Sequence, residues 1–164
     1  MKRQIAIWIS VASFLSMPAF SQQAPPNPTA ACTFQDGKQI SVQYTKIPEV
    51  KKANLSSGKL WTPAEKPMVF FTQADLTIGN SQIPVGAYSL YLVPGKGHWE
   101  LVVNKGVNKA QYEQQQDLVR VSMDVGQLSE AQPFDLVFAH VAPKQCNIRI
   151  YEGKTGAWAE FHEK

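Results

Sequence analysis

The chain has 164 residues, 44% of them hydrophobic, with 16 Lys and Arg against 13 Asp and Glu and a formal net charge of +3. That length suits one domain able to bury a core without metal. A charge so close to balance, with no block of like sign after the N-terminal segment beyond Lys51-Lys52, excludes an electrostatic footprint for nucleic acid or for an anionic membrane surface.

At the N-terminus, Lys2 and Arg3 precede a mostly apolar run from Ile5 to Met17, then Ala19-Phe20-Ser21. A basic start, a short apolar stretch and small residues before a cleavage point predict a secretory signal peptide over 1–21, too short for a stable membrane span. An uncleaved anchor is one alternative. A lipoprotein signal is another, although Thr29-Ala30-Ala31-Cys32 only loosely imitates a lipidation box. Cleavage removes Lys2 and Arg3 and leaves 14 basic residues against 13 acidic. The product is expected to be exported, periplasmic or secreted, with no membrane attachment. Residues 22–31 carry Pro25, Pro26 and Pro28 and read as an extended leader, so the domain is expected to occupy 32–164.

Cys32 and Cys146 are the two cysteines. An even count in an exported chain predicts a disulfide, which requires their Cα atoms within about 7 Å. Two buried free thiols are the alternative. A metal site is disfavoured because no histidine or second cysteine sits near either at ligand spacing.

Asp36-Gly37 is a hairpin dipeptide, after which Ile40, Val42 and Tyr44 alternate with polar residues. Residues 45–67 hold Pro48, Gly58, Pro63 and Pro67 and form a long irregular connection. Val69-Phe70-Phe71 begins a strand feeding Leu76–Ile78, and Phe70 and Leu76 share one parity and are expected to point the same way. From Asp75 to Lys105, alternation is punctuated by Gly and Pro turns: Leu76 and Ile78, then Tyr88, Leu90 and Leu92, then Trp99, Leu101 and Val103. This predicts consecutive antiparallel strands with one buried face. Residues 106–116 are polar, a loop with room for a short helix. In Leu118–Val125 the set Val119, Val121, Met123 and Val125 is the buried one, and Phe134, Leu136, Phe138, Cys146, Ile148, Ile150 and Trp158 continue the pattern. The fold class is all-β: an antiparallel β-sandwich, jelly-roll-like or a flattened barrel, of about eight to nine strands.

Several stretches carry a family likeness. Cys32-Thr33-Phe34-Gln35-Asp36-Gly37-Lys38 through Tyr44, the Asp75–Lys105 run, Asp117-Leu118-Val119-Arg120-Val121 and Cys146-Asn147-Ile148-Arg149-Ile150-Tyr151-Glu152 resemble the DUF2911 family of secreted bacterial domains, whose activity is uncharacterised. The likeness runs from about Cys32 to Phe161. One departure stands out. Where many members read Trp-Arg-Thr-Gly-Ala-Asn-Glu, this chain has Trp61-Thr62-Pro63-Ala64-Glu65-Lys66-Pro67. In that loop the chain resembles a divergent member, and no family site is carried over there.

The chemistry-bearing residues are sparse. His98, His140 and His162 are not at the spacing of a two-ligand metal bite, and no nucleophile elbow, phosphate loop or zinc-protease helix is present. No metal and no cofactor is expected. Asp117 and Arg120, three apart, have opposite parity on an extended strand, which makes them a turn cap and an outward ion-pair partner or, on the sharper reading, a polar binding spot. Among the aromatics, Trp99 and Tyr88 share the alternation of core residues, whereas Tyr91 and Trp61 are candidates for an exposed stacking platform. The candidate ligand-binding set is Trp61, Tyr91, His98, Asp117 and Arg120, for a small molecule, glycan or peptide. The expected function is a binding or accessory module. The alternative is a hydrolase or other enzyme, which would require at least two of Glu65, His98, Asp117, His140 and Glu160 to meet in one cleft.

Overall fold

The computed structural model describes residues 27–47, 55, 57–107, 109 and 111–164. The expected signal peptide, residues 22–26 of the expected leader and the stretch around Lys51-Lys52 lie outside the described residues. Among the described residues nine antiparallel strands follow in chain order: β1 (Thr29–Thr33), β2 (Gln39–Gln43), β3 (Met68–Thr72), β4 (Leu76–Ile78), β5 (Ser81–Ile83), β6 (Gly86–Pro94), β7 (Trp99–Asn104), β8 (Asp117–Ala142) and β9 (Gln145–Glu163). They form one sheet in the order β1-β2-β3-β6-β7-β8-β9-β4-β5. The all-β antiparallel class is as read from alternation. The barrel form is not: β1 and β5 stand at the two ends of the order, and the sheet stays open.

The sheet folds over so that the apolar faces of its two halves meet. Phe70 of β3 stacks on Phe161 of β9 at 5.2 Å, although the two strands are not neighbours in the sheet. Tyr44 meets Phe134 edge-on at 5.5 Å, and its hydroxyl donates to Asp135 Oδ1 at 2.7 Å. Burial and that carboxylate push the Tyr44 pKa up to about 12. Between these layers lie the fully buried Ile40, Met68, Leu90, Leu101, Leu136 and Ile148. They occupy alternate positions, which is why a period of two fixed the inward face.

Cys32 and Cys146 are bridged, with Cα atoms 6.3 Å apart, tying end strand β1 to β9 across the layers. Beside the bridge, Gln35 N–H donates to the Pro143 carbonyl at 2.9 Å and Lys38 reaches the buried Glu163 carboxylate at 3.0 Å. Two details differ from the sequence reading. Pairing starts at Thr29, opposite Gln43, rather than near Cys32, because small Thr and Ala side chains do not prevent residues 29–31 from laddering onto β2. Phe70 and Leu76 both point inward, but from different parts of the sheet: residues 73–75 take the chain from β3 to β4, which pairs with β5 and β9.

β8 and β9 form one long hairpin closed by the Pro143-Lys144 turn. The 19 residues of β9 would span about 60 Å if extended. Yet Glu163 N–H donates to the Lys144 carbonyl at 2.8 Å. The strand must therefore fold back on itself. The ladder lapses between Gln127↔Thr155 and Gln132↔Gly153, and Gly153 adopts φ +58°, a left-handed conformation that disfavours a β-carbon. Side-chain parity also switches there, from the inward Ile148, Ile150 and Glu152 to the inward Ala157, Ala159 and Phe161. Among the described residues no helix is long and apolar enough to cross a membrane.

Candidate functional site

The outer face of β6 and β7 carries a second, smaller apolar group, Tyr91, Val93 and Val102, separate from the main core. Apolar residues on a face turned away from the core need a cover. The connection from β7 to β8 supplies it: the Tyr112 ring meets Tyr91 at 5.1 Å, edge to face, leaving Tyr91 only 5% exposed. Tyr91 is thus on the non-core face, as its parity requires, but roofed over rather than open. The roof is held by backbone and side-chain bonds. Ser89 Oγ donates to the Gly106 carbonyl at 3.0 Å, Gly106 N–H to Asn104 Oδ1 at 2.8 Å, and Asn104 Nδ2 to the Glu113 carbonyl at 2.9 Å.

Asp117 and Arg120 come together here, against their opposite parity. Val103 pairs with Val119 but Asn104 pairs with Asp117, so Leu118 is an extra residue in β8. Such a bulge rotates everything before it by one place, putting Asp117 on the same outer face as Asn104 and Arg120. Asp117 Oδ1 accepts from Asn104 Nδ2 at 2.8 Å, and Oδ2 accepts from the Tyr112 hydroxyl and from Arg120 Nη2 at 3.2 Å. Arg120 also donates to the Tyr112 oxygen at 3.0 Å and to Glu100 Oε2 at 2.9 Å. Burial, reinforced by the Asp117 carboxylate, raises the Tyr112 pKa, with Arg120 opposing. Burial works against the charged guanidinium of Arg120, but its bonds to Glu100 and Asp117 outweigh it and raise the pKa further.

Clefts flank this network. On one side a space of about 460 Å³ is lined by Trp61, Thr62, Glu65, Tyr91, Lys109 and Tyr112, among others. Trp61 takes the place beside β6 beyond the end of β3, exchanging backbone hydrogen bonds with Leu92 at 2.7 and 3.0 Å. Its ring leans inward, 5.4 Å from Phe134, so it forms a wall between core and cleft rather than an exposed platform. Ala64 and Glu65 both have positive φ, 52° and 58°. Left-handed conformations cost non-glycine residues about 1–2 kcal/mol each, and this strained turn sets Glu65 at the cleft edge, where it also borders an adjoining space with Tyr44 and Lys66. Lys109, opposite, pairs with Glu113 at 3.1 Å.

On the other side, about 410 Å³ is lined by His98, Glu100, Arg120 and Lys96, with Val93 and Pro94 beneath. His98 thus shares a cleft with Arg120, and Tyr112 links Arg120 to the first cleft. Of the five residues singled out in the sequence, Tyr91, Asp117 and Arg120 join through Tyr112, His98 borders the second cleft and Trp61 the first. Tyr112 itself has no place in the alternation pattern. The signal for it is indirect: an apolar set on the wrong face of β6 and β7, and one aromatic in the polar segment that follows.

The residues required for an enzyme are dispersed. Glu65 borders the first cleft, His98 the second, and Asp117 is committed to the network. Glu160 meets His162 at 3.6 Å on the exposed side of β9, and among the described residues His140 makes no hydrogen bond or ion pair with either. Among the described residues, no group of three or more His, Cys, Asp and Glu is placed to hold a metal ion.

No curated protein and no solved structure matches the chain. The family described as "Protein of unknown function (DUF2911)" matches residues 25–159, beginning in the Pro-rich stretch and ending within β9. That match covers most of the length, and the chain belongs to the DUF2911 family.

Proposed function

We propose that this domain is an exported binding or accessory module that takes a small molecule, glycan or peptide into the cleft walled by Trp61, Tyr91 and Tyr112, with Asp117 and Arg120 fixing the Tyr112 wall and His98 bordering the neighbouring cleft. The observation that carries the reading is Tyr112. Its ring and hydroxyl join an aromatic wall to a charged network on a face that the core does not use. Apolar walls with a few fixed polar groups suit recognition of a modest ligand. Dispersal of the acid and base candidates favours binding over hydrolysis, since proton transfer needs its groups within hydrogen-bond reach of one ligand.

Export is part of the same reading. A disulfide joining β1 to β9 is consistent with an oxidising compartment, and the signal-like N-terminus supplies the route. N-terminal sequencing of the secreted product is expected to begin at Gln22.

A thermal-shift and calorimetric screen against saccharides, short peptides and metal salts tests the binding. A ligand present at a hundred times its Kd stabilises the folded chain by about 2.7 kcal/mol. For a ligand of the Tyr112 cleft, that shift is expected for the native protein and absent for Tyr112→Ala. A flat response across all classes contradicts the proposal.

A further inference from the structure

The fold-back of the β8–β9 hairpin creates a second cleft, remote in sequence from the first. Its volume is about 400 Å³, and its lining comes from both arms of the bend: Asn147, Arg149 and Tyr151 from one, Gly156 and Trp158 from the other, with Gln127 of β8. At its floor Gly126 and Gly156 are a directly opposed pair without side chains, and Leu128 and Ala157 also line the space. Two rings lie against that floor. A β-carbon on Gly126 would come within 3.2 Å of the Trp158 ring, and one on Gly156 within 3.5 Å of the Tyr151 ring. Trp158 is nonetheless 36% exposed, one of the few large apolar side chains left open to water.

The polar rim is equally distinctive. Gln127 and Arg149 are exposed, and Asn147 is buried with its Oδ1 accepting from Gln145 Nε2 at 3.3 Å. No aspartate or glutamate lines the space. Among the described residues Arg149 makes no ion pair, so the cleft offers one unneutralised cation.

We propose that this crook is a carbohydrate-binding site, preferring an acidic saccharide. A pyranose has an apolar C–H face and an equatorial belt of hydroxyls. An exposed indole beside a flat glycine floor matches the former, and the side-chain amides, each able to donate and accept, match the latter. Arg149 supplies the fork that recognises a carboxylate. An extended peptide fits less well. No carboxylate lines the space to meet an amine. The site does not rest on the Tyr112 cleft and stands or falls separately.

Isothermal titration of the full exported chain with trigalacturonate, maltotriose and a tripeptide provides the test. Trigalacturonate is expected to bind tighter than maltotriose, with no tripeptide binding. Trp158→Ala is expected to weaken it at least about tenfold. Because the ring also covers Gly126, that variant could lose stability, so Arg149→Gln, at an exposed position, is the second arm. It is expected to keep the native melting temperature and abolish the preference for the acidic sugar. No saccharide binding, binding of the tripeptide alone, a preference for the neutral sugar, or affinity unchanged in both Trp158→Ala and Arg149→Gln would overturn the proposal. In the first of these outcomes the rings serve only to cover the glycines.

Discussion

Asp117 accepts hydrogen bonds from Asn104, Tyr112 and Arg120 while exposing 13% of its side chain. Removing it strands three donors on a partly covered face, whereas removing Arg120, about a third exposed, leaves solvated partners. Asp117→Ala is therefore expected to cost about 1–3 kcal/mol, and Arg120→Ala under about 1 kcal/mol after solvent screening. Urea unfolding of the two variants distinguishes them, and equal losses would contradict the network described. A different residue governs the response to pH. Glu152 is 5% exposed on the inward face of β9, and its Oε2 finds no hydrogen-bond partner among the described residues. Burial raises its pKa above the usual 4.5. The folded state then holds the proton more tightly than the unfolded one. Stability attributable to this group is greatest below pH 4.5 and falls as pH rises through the raised pKa. Glu152→Gln is expected to melt higher than the native chain at neutral pH and to lose that part of the pH dependence. A lower melting temperature at pH 7 would show the carboxylate to be satisfied.

At the level of elements, the strands from Asp75 to Lys105 were legible because each buries one face in the common core, leaving a period-two imprint. The features that build the sites were not, because they break that period. The bulge at Leu118 brings Asp117 beside Arg120 without any residue that announces it. The bend in β8–β9 does leave a trace. Gly126, Gly153 and Gly156 cluster there, and the inward set changes from even to odd numbers between Glu152 and Ala157. Gly153→Ala is expected to destabilise by about 1–2 kcal/mol, since alanine resists the left-handed conformation that the bend uses. Chemical denaturation checks this, and a neutral substitution would mean that the bend has other means of support. Tyr112 was hidden for another reason: covering the outer face is a tertiary task performed by a loop, and loops carry no periodicity.

For the molecule as a whole, an open sheet folded over a core needs something to keep its end strand in place. The Cys32–Cys146 bridge does this for β1, and its partners are 114 residues apart. In the chain-entropy view, closing so long a loop limits the unfolded state by up to about 4–5 kcal/mol. Replacing both cysteines by alanine is expected to lower unfolding free energy toward that amount in urea, and alkylation of the untreated native protein is expected to find no free thiol. This long-range constraint was legible from cysteine count and a signal-like N-terminus alone. The family adds membership but no activity, so the functional case rests on what the outer face presents: aromatic walls, a fixed charged network and scattered acid–base groups. Amide shift mapping by NMR, with each ligand's integrity followed in the same tube, bears most directly on that case. The expected result is saturable perturbation around Tyr112, Asp117 and Trp61 with the ligand recovered unchanged. Chemical conversion of the ligand, or no perturbation on this face by any saccharide or peptide, would contradict it.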